Sequence, residues 1–135
     1  MEFITFEIAK KLKEKGFKEK CIAYYWEKIN EHTPSFVVED KISEDGICIL
    51  DLISEHNKAE WSPFIDAPTI SQVLKWLRKE KEIYLEIVIV VDGEYMCDIY
   101  KINSRPIECL GSTEYFKTYE QAAIAGIEYV LDNLI

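Results

Sequence analysis

The run Ile83-Tyr84-Leu85-Glu86-Ile87-Val88-Ile89-Val90-Val91, followed at once by Asp92-Gly93, constrains the fold more than any other part of this chain. Successive side chains of an extended strand point to opposite sides, so Ile83, Leu85, Ile87, Ile89 and Val91 share one face. Asp-Gly tolerates positive φ, so the chain turns there and returns as a second strand through Tyr95–Tyr100. A strict two-residue turn sets Ile87 opposite Asp98. A three-residue loop ending in a left-handed Gly93 instead sets Ile89 opposite Tyr95, Ile87 opposite Cys97 and Leu85 opposite Ile99. Only the second register aligns two apolar faces, and it is the one expected.

Helices flank this hairpin. Thr69-Ile70-Ser71-Gln72 and Thr118-Tyr119-Glu120-Gln121 both carry the spacing of a capping box. In it the Thr hydroxyl accepts from the N–H three residues on, and the Gln reaches back. The first opens a helix from about Ile70 to Lys81, with Ile70, Val73, Leu74 and Leu77 on one stripe and Trp76 on its flank. The second opens the closing helix, where Ala122, Ala123 and Gly126 permit close approach to a sheet. Val130 and Leu134 continue that face, and Ile124 and Leu131 widen it. At the other end of the chain, Thr5 is expected to cap a helix to about Lys15, with Gly16 as its left-handed stop.

The remaining segments read as strands and loops. Cys21–Trp26, Phe36–Val38 and Ile47–Leu50, the last two separated by the turn Ser43-Glu44-Asp45-Gly46, suggest a three-stranded meander. Residues 54–66 look irregular, with Trp61 and Phe64 the aromatics to watch there. A further short strand is expected at Glu114–Lys117. Together these give an α+β fold, an antiparallel sheet of meander plus hairpin packed with about three helices. The length of 135 residues suits one domain spanning 1–135.

Composition narrows the chemistry. Hydrophobic residues make up 48% of the chain, enough for a packed core, and no apolar run nears the ~20 residues that cross a bilayer. Met1-Glu2-Phe3-Ile4-Thr5 has neither the basic nor the apolar region of an export signal, so a cytoplasmic location is expected. Cys21, Cys48, Cys97 and Cys109 are then read as reduced thiols in apolar settings. The net charge is −9, and residues 1–31 are nearly neutral while the rest is acidic. No segment carries the positive field that drives non-specific nucleic-acid affinity.

Catalytic and metal-binding patterns are missing from the sequence. His32 and His56 lie far apart, and no Cys-x-x-Cys or His-Glu-x-x-His spacing occurs. There is no Gly-x-Ser-x-Gly, and the five glycines are scattered rather than grouped to cradle a phosphate. Acid pairs such as Glu39-Asp40 and Glu44-Asp45 suit solvated loops. No enzyme activity, metal or cofactor is expected.

Three stretches carry a resemblance. They are Thr5–Phe17, the run Ala67-Pro68-Thr69-Ile70-Ser71-Gln72-Val73-Leu74-Lys75-Trp76-Leu77-Arg78, and Tyr119-Glu120-Gln121-Ala122-Ala123 to Leu131. Together they resemble a family of small gut-bacterial proteins without an assigned activity, which implies a gene linked to a mobile element or prophage. More locally, a sheet followed by Phe116-Lys117-Thr118-Tyr119-Glu120-Gln121-Ala122-Ala123 is similar to the sheet-plus-helix DNA-binding domains of the AP2 and integrase N-terminal type. Those read DNA through basic and aromatic side chains. Here Glu86, Asp92, Glu94 and Asp98 occupy the hairpin, so this second resemblance implies topology alone.

The reading that follows is a non-enzymatic interaction or accessory module, with a nucleic-acid-binding domain as the alternative and an enzyme third. The hairpin face carrying Tyr84, Val88, Val90, Met96 and Tyr100, together with Ile124 and Leu131 of the closing helix, is the expected contact surface. The expected partner is another protein or a second copy in a homodimer, not nucleic acid or a membrane.

Overall fold

The computed structural model describes residues 2–26, 34–38 and 64–135. The expected strand at Ile47–Leu50, its preceding turn, Cys48, Trp61, His32, His56 and the two acid pairs lie outside the described residues. The chain divides into two compact units, residues 3–69 and residues 70–135, the second joined by Glu2. Among the described residues, no helix is long and apolar enough to cross a membrane.

In the first unit, helix α1 (Phe6–Glu14) begins where Thr5 Oγ1 accepts from the Ile8 N–H at 3.4 Å. It stops at Gly16, whose φ of +89° lets Phe17 fold back and donate to the Leu12 carbonyl. Ile8, Ala9, Leu12 and Phe17 are buried, as the helical spacing requires. Strands β1 (Ala23–Trp26), β2 (Ser35–Val38) and β3 (Phe64–Asp66) form an antiparallel sheet in the order β2-β1-β3. The strand beside β1 is therefore Phe64–Asp66, a segment expected to be irregular. Three residues between Pro63 and Ala67-Pro68 are too few to show a period, and the flanking prolines hid them.

Alternation along β1 divides its aromatics. Tyr24 and Trp26 meet Phe64, with ring centroids 5.7 Å apart in both pairs, while Tyr25 meets Phe36 at 5.2 Å and Phe6 at 5.5 Å. The Tyr25 hydroxyl donates to the Ile4 carbonyl at 2.7 Å, so the polar end of a half-buried ring is satisfied. Phe64, watched as a loop aromatic, is thus a half-buried strand residue packed against Tyr24.

The second unit starts with α2 (Ile70–Lys81), which matches its expected limits. Trp76, placed on the flank by the helical wheel, is buried beside Ile70, Val73 and Leu77. Glu82 takes a φ of +57° and turns the chain directly into β4 (Ile83–Ile89). A one-turn 3₁₀ segment at Val91–Gly93 leads into β5 (Tyr95–Lys101). The pairs are Ile89 with Tyr95, Ile87 with Cys97 and Leu85 with Ile99, the register that the three-residue loop requires. Gly93 is left-handed at φ +74°, and so is Asp92 at +68°.

The third strand is β6 (Glu108–Ser112), which pairs antiparallel with β5 and gives the order β4-β5-β6. It stands in place of the strand expected at Glu114–Lys117. There only Phe116 pairs, trading two 2.7 Å bonds with Tyr95. Thr113 joins the two parts: its N–H donates to the Cys97 carbonyl and its Oγ1 accepts from the Cys97 N–H, both at 2.9 Å. Gly111 obscured this strand in the sequence. It lies inside β6, where the Tyr129 ring comes within 3.1 Å of the place a Cβ would take.

Helix α3 (Tyr119–Asn133) closes the unit, with Thr118 Oγ1 accepting from the Gln121 N–H at 3.1 Å. Ala122, Ala123, Gly126, Ile127, Val130 and Leu131 are buried. Gly126 lies against Leu85 and Cys97, so α3 covers the face of the sheet that these residues share. The architecture is α+β, with three helices and two three-stranded antiparallel sheets among the described residues.

Candidate functional site

With Leu85, Cys97 and Ile99 buried under α3, strand alternation turns their neighbours to the other side. On that outer face Tyr84 stands opposite Tyr100, Glu86 opposite Asp98 and Val88 opposite Met96. Tyr84 is exposed, and Val88, Val90, Met96 and Tyr100 are half-buried. Ile102 and Ile107, both exposed, extend this surface beyond the end of β5. Tyr84, Glu86, Tyr100, Ile102 and Ile107 line a pocket of about 370 Å³.

The middle of the face is electrostatically unusual. Two carboxylates directly opposite one another on neighbouring strands repel, and such pairs normally destabilise a sheet. Asp98 Oδ1 accepts from the Ser112 hydroxyl at 2.7 Å, which holds that carboxylate in place. The Tyr100 phenol is pushed above its ordinary range, first by partial burial and then by the Asp98 and Glu86 carboxylates. Two rings, two carboxylates and flanking apolar side chains suit a cation carried on an apolar stem. The carboxylates supply charge and the ring faces supply quadrupole attraction.

Of the seven residues expected to form a contact surface, Tyr84, Val88, Val90, Met96 and Tyr100 fall on one face of the hairpin. The other two do not join them. Leu131 is 2% exposed and belongs to the core, and Ile124 is half-buried on a helix that packs on the opposite side of the sheet. The apolar arc of the closing helix is wide because it is covered. Ile102 and Ile107 were not anticipated: they lie in and after a turn, where no period marks an apolar residue as part of a face. Glu86 and Asp98 were visible only as charges that interrupt the apolar pattern.

The described cysteines are free. Burial, aided by the Asp98 carboxylate, pushes the Cys97 thiol up to about 12, and burial also raises Cys21. Both behave as small apolar groups, since the thiolate is the reactive form. Cys109 departs from the apolar setting expected of it and is exposed on β6, opposite Tyr100. Among the described residues, no three His, Cys, Asp or Glu side chains are grouped to hold a metal ion.

No family model, no curated protein and no solved structure matches this chain.

Proposed function

We propose that the protein is a non-catalytic interaction module that recognises a basic, amphipathic segment of another protein through the outer face of the β4–β5–β6 sheet. The opposed Glu86 and Asp98, set between the Tyr84–Tyr100 pair and Val88–Met96, carry this reading. A lysine or arginine side chain laid across them relieves their mutual repulsion while its stem covers the two rings. The pocket-lining residues include no base, and the chain as a whole carries a net −9. A phosphate backbone brought to the same face meets two carboxylates, which disfavours nucleic acid as the ligand.

The test is calorimetric titration with a peptide of alternating leucine and arginine, and with its glutamate counterpart. The arginine peptide binds, and Glu86→Gln weakens it by about fivefold, the scale of a single partly exposed charge pair at ~1 kcal/mol. Equal binding of the glutamate peptide, or no effect of Glu86→Gln, overturns the proposal.

A further inference from the structure

The two edges of the β4–β5–β6 sheet are built differently. At one edge, β6 is short, interrupted by a register shift opposite Ile99 and Tyr100, and preceded by Arg105-Pro106. Such irregularity keeps an edge from pairing with another chain. The other edge is β4, seven residues from Ile83 to Ile89 without proline, lysine or bulge, and with one charge, Glu86. Among the described residues no strand pairs on its outer side.

The hydrogen-bond phase of the hairpin shows what that edge presents. Glu82 O accepts from Ile102 N–H and Val90 N–H donates to Glu94 O, so even-numbered residues of the strand bond to β5. Antiparallel alternation then aims the N–H and C=O groups of Ile83, Leu85, Ile87 and Ile89 away from β5, on a side where no described strand pairs with them. The tip of the hairpin is also more apolar than a free turn needs to be. Ile89 is 71% and Val91 82% exposed, although both continue the face that Ile83 and Leu85 bury at its base.

We propose that β4 pairs antiparallel with β4 of a second copy about a two-fold axis at Ile87, joining the two sheets into one of six strands. Bonding partners across an antiparallel ladder must share phase, so the axis passes through a residue position rather than between two. Centred on Glu86, the pairing sets two glutamates face to face, a cost a dimer avoids. Centred on Ile87, it sets Leu85 opposite the partner's Ile89 and Glu86 opposite the partner's Val88, and Val91 reaches beside the partner's Ile83. The exposed tip of each hairpin thus lies along the buried base of the other. The contact is isologous, so it closes at two copies. It uses the edge of the sheet and leaves the outer face with Tyr84 and Tyr100 open, so it stands independently of the proposed peptide site.

Sedimentation equilibrium of the unmodified chain at tens of micromolar is the first arm, and it yields twice 15.8 kDa. The second arm fixes the register by disulfide capture in a Cys48→Ser, Cys97→Ala, Cys109→Ser background, because Cys97 lies directly opposite Ile87 in the same chain and would capture a thiol placed there. Across a bonded pair the Cα atoms are about 5.5 Å apart, within disulfide reach, so Ile87→Cys gives a covalent dimer under mild oxidation. Two residues at position 86 lie roughly 8 Å apart in this register, beyond that reach, so Glu86→Cys does not. A mass that stays at 15.8 kDa overturns the proposal, and so does a dimer that cross-links through position 86 rather than 87.

Discussion

Gly126 sets how near the closing helix lies to its sheet. A Cβ added there falls 2.9 Å from Leu85 Cδ2 and 3.1 Å from Cys97 Cβ, and nearer still to Cys97 Sγ. In an exposed helix, alanine would gain about 1 kcal/mol over glycine. Here the neighbours are themselves buried, and overpacking a filled core costs about 1–3 kcal/mol. The second effect wins because neither the strand nor the helix is free to move aside. Gly126→Ala is therefore expected to lose up to about 2 kcal/mol, measured by urea denaturation, although helix propensity alone predicts a gain. The sequence did signal this contact, since Ala122, Ala123 and Gly126 are small residues on one helical stripe. Leu131 widens the apolar arc of that helix and Trp76 stands on the flank of its own, and how much of such an arc is covered depends on what packs against it. Cys109 shows the same limit: an apolar local sequence did not make its position apolar.

At the scale of elements, boundaries were legible where the chain carries a chemical mark. Thr118 caps α3 through the Gln121 N–H, and Thr5 caps α1 through Ile8 with a longer bond. Replacing a threonine cap with alanine costs about 1 kcal/mol. Thr118→Ala should destabilise the second unit by that amount, read as a lower midpoint in thermal denaturation followed by circular dichroism. The hairpin register was legible for a different reason. A one-residue slip would put Leu85 and Cys97 on opposite faces of the sheet, so the pairing that aligns apolar faces is the one found. The two strands that the sequence did not reveal, β3 and β6, lack such marks. β3 has three residues, and β6 contains a glycine and a register shift. Each is defined by its partner strand rather than by its own period, and no local pattern records a partner distant in sequence.

At the scale of the whole molecule, the chain is acidic and the proposed contact surface lies in its second unit. The net charge of −9 sets the sign of partners that approach. The outer sheet face supplies apolar and aromatic surface around two opposed carboxylates, and the pocket beside them is where a cationic side chain gains most. Five of the seven residues expected at this surface came from strand alternation alone. The pocket could not be read the same way, because Ile102 and Ile107 reach it from a turn. The claim that this face recognises a basic protein segment is tested most directly by mapping amide chemical shifts in the ¹⁵N-labelled chain. One titration uses the leucine–arginine peptide and a second uses a duplex oligonucleotide at physiological salt. The account predicts peptide-induced shifts at Tyr84, Glu86, Tyr100, Ile102 and Ile107, and none with the duplex. Peptide shifts confined to residues 3–69, or duplex-induced shifts on the outer face, would contradict it.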